Sequence, residues 1–494
     1  MKQSDIDAIR HRPIPDPLLW IDGQPAPAIG RAVIPSVSPI DGRRLTHLAA
    51  ATADDVDAAV TAARESFESG RWSRMAPARR KAILHRIADL LERDAFDLAV
   101  LGVRDNGTEI GMALRAEPGS AAGTFRYYAE CVDKIAGEIA PTDPAVLGLV
   151  HREPAGVIGA ILPWNFPLMI GAWKIAPALA TGNSVVVKPA AIASLTVLRL
   201  AELCREAGLP DGVLNVVTGS GSVAGEALAR HMDVDVLTFT GSGTTGRALL
   251  RASADSNGKP VWLELGGKSP NIIFADAPDL DLAINAAAGA IFRNAGQVCI
   301  AGSRLLVEAG IHDRVLTGVT EAAAAMTTGD PLDLKNDIGA VASETQLESI
   351  LRHVRTARDQ GAELVAGGRR ILEASGGTYM QPTIFSGVAP DMALFREEVF
   401  GPVLAVTPFE TEEEAISIAN STEYGLAAGV WTGDLGRAHR MVRAIDSGVV
   451  FVNTYGGADI TMPLAGHRQS GSGADKSLHA LDKFTRLKSA WIRL

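Results

Sequence analysis

The spacing of apolar and polar residues along this chain changes period several times, and the changes divide it into parts. Behind Thr52, a capping residue followed by Asp54 and Asp55, the apolar positions Val56, Ala59, Val60, Ala63 and Phe67 recur at helical spacing. A second helical pattern covers residues 77–92, and helix continues to about Ile135. Before these, residues 18–50 read as short strands and turns, among them Pro39-Ile-Asp-Gly42. Residues 146–152 read as a strand leading to Pro154. Short apolar runs at 156–162, 183–188, 213–217, 234–239 and 261–264 then alternate with helical stretches. Such alternation predicts a parallel sheet with helices on both faces, because parallel strands need crossover connections. This half is the expected nucleotide-binding part. A second α/β unit begins at Gly266, with helical patterns near 280–292, 344–359 and 411–420 and strand candidates at 304–308, 403–409 and 427–432. Residues 483–494 read as a terminal strand whose apolar side chains a neighbouring subunit would cover.

Composition narrows the class. A chain of 494 residues is too long for one core and implies two or three domains. Apolar residues at 47% and charged residues at 21% describe an ordinary globular protein. A formal charge of -10 without a basic stripe argues against a nucleic-acid partner. No apolar run approaches bilayer length and the N-terminus lacks a signal-like core, so the expectation is a cytoplasmic protein with no membrane partner. Three scattered cysteines fit a reducing compartment, and no metal site is expected.

Two of those cysteines, Cys131 and Cys204, stand in helical contexts and read as packing residues. Cys299 differs: it lies in Asn294-Ala-Gly-Gln-Val-Cys299-Ile-Ala-Gly-Ser-Arg304, a glycine-bearing loop. Upstream, Glu264-Leu-Gly-Gly-Lys-Ser-Pro-Asn271 puts a carboxylate at the end of an apolar run, and the two together suggest a thiol nucleophile with a general base. A rival reading starts from Gly241-Ser-Gly243-Thr-Thr-Gly246, which follows a strand, opens a helix and matches a dinucleotide fingerprint. In that reading Glu264 would hold a ribose hydroxyl instead. By itself the glycine pattern is equally well a plain strand-to-helix turn.

A wider set of motifs bears on the conflict: Pro163-Trp-Asn165-Phe-Pro167, Ala172-Trp-Lys174, Gly182-Asn-Ser-Val-Val-Val-Lys188-Pro189, Phe239-Thr-Gly241-Ser, the Glu264 motif, Gly296-Gln-Val-Cys299, Glu397-Glu398-Val-Phe400-Gly-Pro402 and Tyr424-Gly-Leu-Ala-Ala. In their order and spacing the chain resembles the aldehyde dehydrogenase superfamily from about residue 18 to its end. The resemblance implies an α/β fold with a Rossmann-type parallel-sheet cofactor domain at 1–134 and 154–265. It also implies a catalytic domain at 266–464 and β oligomerisation strands at 135–153 and 474–494, in a homodimer or homotetramer.

The resemblance also implies roles. Cys299 would attack the aldehyde carbon as a thiolate, and the Asn165 amide with the Cys299 backbone N–H would form the oxyanion hole. Glu264 would activate water against the resulting thioester, and Lys174 would relay protons or fix the carboxylate. NAD or NADP would lie on Trp164, Lys188, Gly241, Ser242, Glu398 and Phe400. Phe166, Trp173, Val298, Ile300 and Tyr455 would wall an apolar substrate tunnel. Taken singly, Asn165 also reads as a turn residue, Glu398 as a surface acid and Phe400 as core.

Two departures from the family pattern matter. Relatives often carry an acid three positions after the ribose-binding lysine, where it repels a 2′-phosphate; here Ala191 stands there, which predicts use of NADP as well as NAD. Leu464 replaces a common aromatic and would widen the entrance. Within the superfamily the chain is most similar to bacterial γ-glutamyl-γ-aminobutyraldehyde and guanidinobutyraldehyde dehydrogenases, through Phe274-Ala-Asp-Ala-Pro-Asp-Leu, Gln297-Val-Cys-Ile-Ala-Gly and the tail from Asp475 to Thr485. Asp459 would attract a cationic ω-amino group, or else is an ordinary turn aspartate. The competing functions are a cysteine-dependent esterase or thiol hydrolase, and a non-catalytic binding protein on the same fold.

Overall fold

A computed structural model describes residues 2–457 and 459–494. Its first sheet has five parallel strands at the centre, in the spatial order Leu214–Val216, Ser184–Lys188, Val157–Ile161, Val236–Thr240, Val261–Glu264. The predicted apolar runs are these strands. Their side chains alternate between two cores: Val185 and Val187 face one with Ile158 and Ala160, while Val186 faces the other with Val157, Ile161 and Phe239. Helices cover both faces, so every second residue is buried either way and the runs read as continuously apolar.

Three antiparallel strands extend this sheet. Leu19–Ile21 and Gln24–Ala26 lie at one edge, and Gly471–Ser472, from near the C-terminus, pairs with Val261–Glu264 at the other. The second sheet runs Glu363–Ala366, Thr383–Ser386, Val403–Phe409, Arg304–Glu308, Pro270–Ile273, Ala427–Trp431, Val449–Val452, parallel except at its first strand. Its core is separate from those of the first sheet. The strands at 270–273, 363–366, 383–386 and 449–452 are additions to the sequence reading; four residues each, without periodicity of their own, leave little signal.

A third sheet joins Glu138–Ala140, Val146–Pro154 and Thr485–Arg493. It leaves Ile139, Leu487, Trp491 and Leu494 exposed, Trp491 by 72%. The terminal strand begins two residues later than its pattern predicts. Lys483 and Phe484 belong instead to the 3-10 stretch Leu478–Phe484, where both are buried and the Asn183 amide donates to the Phe484 carbonyl at 2.9 Å. Among the described residues no helix is long and apolar enough to cross a membrane.

Candidate active site

In the first sheet the helix after Val157–Ile161, Pro167–Ala180, leads to the strand on one side. The helix after Val236–Thr240, Gly243–Ala254, leads to the strand on the other. The two connections diverge at the strands' carboxyl ends and leave a crevice there, as open parallel sheets do where the strand order reverses. A cavity of about 250 Å³ occupies it, lined by Pro163, Trp164 and Asn165 from one loop, Thr240, Gly241 and Ser242 from the other, and Cys299, Glu398 and Phe400 from the second unit. Ile170, Leu265, Gly266, Gln346, Ser349 and Val399 complete the wall; the sequence reading gives none of them a role.

The Cys299 loop is built on strain. Asn294, Ala295 and Gly296 all have positive φ, at 51°, 48° and 71°. Gly296 alone is free of steric cost there, and a Cβ would sit 2.1 Å from the Gly401 carbonyl oxygen. A buried network offsets the strain. Both Glu109 carboxylate oxygens accept from the Asn294 backbone N–H at 3.2 Å, and the Thr108 hydroxyl donates to the Asn294 side-chain oxygen at 2.8 Å. The Gln297 side chain donates to the Asn294 carbonyl at 3.1 Å and accepts from the Ala342 N–H at 2.8 Å. The Asn165 amide donates to the Gln297 carbonyl at 3.0 Å, which ties the two loops together two residues before the cysteine.

Cys299 is half-buried. Burial first, then the nearby Glu264 and Glu398 carboxylates, push its thiol up to about 12. The free thiol is therefore protonated at neutral pH and needs a base as it attacks. Cys131 and Cys204 are buried in helices, as packing residues.

Glu264 ends the edge parallel strand, in register with Thr240 on one side and Gly471 on the other. It is buried, its Oε1 has no hydrogen-bond partner among the described residues, and burial with the neighbouring Asp475 charge raises its pKa well above the carboxylate range. Lys174 is not a surface lysine. It is 1% exposed and donates to Asp475 Oδ2 at 2.9 Å and to Thr238 Oγ1 at 3.2 Å, so the carboxylate it fixes directly is Asp475, not Glu264. In the sequence Asp475 stands out only as part of the tail. No local pattern joins it to a lysine 301 residues away.

The elements that would hold a dinucleotide have matching chemistry. Ser242 caps the helix Gly243–Ala254, its hydroxyl accepting from the Thr245 N–H, so that the positive end of the helix faces the cavity. The buried Thr240 hydroxyl on the same wall has no partner among the described residues. Lys188 ends its strand, buried, and desolvation pulls its ammonium down to about 8 with no carboxylate opposing that pull. Glu398 accepts from the Gly267 N–H at 3.0 Å, and burial raises it to about 7. Phe400 holds φ 53°, secured by the Gln346 side chain donating to the Phe400 carbonyl at 3.0 Å, and packs edge-on against Trp164 with ring centroids 5.2 Å apart. These cationic and N–H groups fit a pyrophosphate, and the carboxylate fits a ribose diol.

The expected tunnel residues are more dispersed, and none of them lines this cavity. Phe166 is buried at the start of its helix and Val298 packs against the second core. Ile300 is partly buried, and its carbonyl accepts from the Tyr455 hydroxyl at 2.8 Å, so Tyr455 braces the Cys299 loop. Trp173 is partly buried under the Lys476 ammonium, which lies 5.7 Å from its ring centroid. Asp459 is exposed and accepts from the Thr461 N–H at 2.8 Å, an Asx-turn contact, with the Lys476 charge within electrostatic reach.

Comparison with known proteins shows the family. The model of the aldehyde dehydrogenase family matches residues 27–490. The chain is 49% identical over 476 residues to the NADP/NAD-dependent aldehyde dehydrogenase PuuC of Escherichia coli strain K12, covering 96% of this chain and 95% of the relative. A solved structure of indole-3-acetaldehyde dehydrogenase in complex with NAD+ superposes with a TM-score of 0.99 at 49% identity, all of both chains being covered. The γ-glutamyl-γ-aminobutyraldehyde dehydrogenase of Burkholderia cenocepacia J2315 does so with a TM-score of 0.98 at 47% identity, again over the whole of both chains. The chain thus belongs to the aldehyde dehydrogenase family.

Proposed function

We propose that this protein oxidises an aldehyde to a carboxylic acid with NAD or NADP, through a covalent intermediate on Cys299. The observation that carries the proposal is the convergence of Cys299, Asn165, Glu398 and Phe400 on one crevice at the switch point of a parallel sheet, with the Glu264 strand end behind it. Cys299 adds to the aldehyde carbon, its proton passing to Glu264 as the C–S bond forms and from there to solvent before hydrolysis. Two donors, the Asn165 amide and the Cys299 backbone N–H, stabilise the oxyanion; a neutral amide does so without supplying a proton. A bound nicotinamide dinucleotide supplies the acceptor for the hydride that the thiohemiacetal loses on becoming a thioester. Glu264 takes a proton from water as it attacks the thioester, a role suited to a buried carboxylate with a raised pKa.

Lys188 and Ser242 hold the adenosine ribose and pyrophosphate, and Glu398 and Phe400 the nicotinamide ribose and ring. Ala191 leaves room for a 2′-phosphate. Relatives named for γ-glutamyl-γ-aminobutyraldehyde and indole-3-acetaldehyde support a primary aldehyde on an amino-derived, aliphatic or aromatic chain as substrate. The exposed apolar strand Thr485–Arg493 supports assembly into a homodimer or homotetramer. Initial rates across a panel of aldehydes with NAD and NADP in parallel, with Cys299→Ala as the blank, test this reading. Aldehyde-dependent absorbance at 340 nm that disappears in Cys299→Ala is expected. Hydrolysis of esters with no reduced cofactor from any aldehyde would replace the reading with an esterase.

A further inference from the structure

Behind Glu264 lies a closed charge cluster whose fourth member is Lys483. Asp475 is fully enclosed, and its two carboxylate oxygens are divided between two buried lysines. Lys174 donates to Oδ2 at 2.9 Å, and Lys483 donates to Oδ1 in a close contact. Lys483 reaches there because the 3-10 stretch Leu478–Phe484 turns it inward and because Gly473, at φ 86°, has no side chain; a Cβ would meet the Trp262 ring at 2.7 Å and the Lys483 stem at 3.4 Å. The Tyr128 ring also feels the Asp475 charge, while its hydroxyl donates to the Ser477 carbonyl at 2.9 Å. Glu264 lies on the strand that pairs with Gly471–Ser472, just upstream of Asp475; the charges of Asp475, Lys174 and Lys483 act on it, and its own charge raises the Cys299 thiol. When ionised, the cluster holds two carboxylates and two ammonium groups, and its net charge is zero.

Neutrality matters where four ionisable side chains are buried together, since an uncompensated buried charge is costly. Without Lys483 the cluster would carry one excess negative charge. The carboxylate best able to relieve it is Glu264, the one with a free oxygen, by keeping a proton. We propose that Lys483 is a positioning residue for thioester hydrolysis: it holds Asp475 ionised and locked to Lys174, leaving Glu264 as the unpaired carboxylate that receives the proton of water. In that step an O–H bond of water breaks and its proton goes to Glu264. The oxygen bonds to the acyl carbon, and the C–S pair returns to Cys299 as thiolate while the carboxylic acid departs. The inference rests on the reading of Glu264 as the base.

The test compares Lys483→Met, Lys483→Arg, Glu264→Gln and the double variant Lys483→Met/Asp475→Asn, using the aldehyde turned over fastest by the intact protein. The readouts are the pre-steady-state burst of reduced cofactor and kcat against pH. Lys483→Met should keep its burst, lose about tenfold in kcat near pH 7, and show the acid limb of kcat moved up by about one pH unit or more, because Glu264 holds its proton longer. Lys483→Arg should stay near wild type. The double variant, neutral again, should bring the limb back, which a packing role for Lys483 would not do; it also serves if the single variant fails to fold. An acid limb that stays in place in Lys483→Met, or in Lys483→Arg and the double variant alike moves as far as in the single one, overturns the inference. Glu264→Gln separates the two claims. If it retains full turnover the base assignment fails, whereas its loss of turnover together with an unmoved limb in Lys483→Met removes Lys483 alone.

Discussion

The side-chain amide of Asn165 donates to the backbone carbonyl of Gln297, 3.0 Å away. One N–H of that amide is therefore spent on fixing the cysteine loop, and the proposed oxyanion hole would use the other. Asn165→Ala should lower kcat about 10²–10³-fold, with a smaller change in KM, since the lost bond forms only as charge develops. Asn165→Asp should do no better, because a carboxylate repels the oxyanion. Steady-state kinetics check both; equal effects on kcat and KM would point to loop collapse instead.

Lys188 is a buried ammonium with desolvation as the force on its titration. An acid introduced at Ala191, three residues on, would compete with a 2′-phosphate for it. Ala191→Glu should reduce kcat/KM for NADP about tenfold or more while that for NAD holds or improves. Initial rates with both cofactors decide the matter, and a parallel fall for the two would place Ala191 away from the ribose.

With the Cys299 thiol pushed up to about 12 by burial and by two neighbouring carboxylates, the free protein carries little thiolate at neutral pH. The sign follows directly: the reactive form grows as pH rises toward that value. Alkylation of Cys299 by iodoacetamide should accelerate about tenfold per pH unit between pH 7 and 9. A rate already level at pH 7 would mean a thiolate stabilised in the resting protein.

Much of this was legible in the chain. The parallel strands of the first sheet announced themselves as apolar runs because helices bury both their faces, and Cys299 stood out because glycines flank it. The strands at 270–273, 363–366, 383–386 and 449–452 did not, being too short to show a period. The Asp475 cluster was hidden for a different reason. Lys174, Glu264, Asp475 and Lys483 meet only because the Gly471–Ser472 strand crosses back to the first sheet, and no local spacing encodes that return. Gln346, which secures Phe400, looked like any polar residue of a surface helix.

The strand Thr485–Arg493 leaves Leu487 and Trp491 in solvent on one face of its sheet, and Ile492 with Ile139 on the other. A neighbouring copy covering them would explain a row of apolar side chains at the surface. Trp491→Glu should shift the mass measured by light scattering from a dimer or tetramer to a smaller species. An unchanged mass would place the interface elsewhere.

The central claim is that an acyl group passes through Cys299 and that Glu264 releases it. Mass spectrometry of Glu264→Gln mixed with aldehyde and cofactor tests it most directly. The expected result is one acyl adduct per subunit, on Cys299, matched by one equivalent of reduced cofactor and followed by little further turnover. Sustained turnover with no adduct on Cys299 would contradict the account.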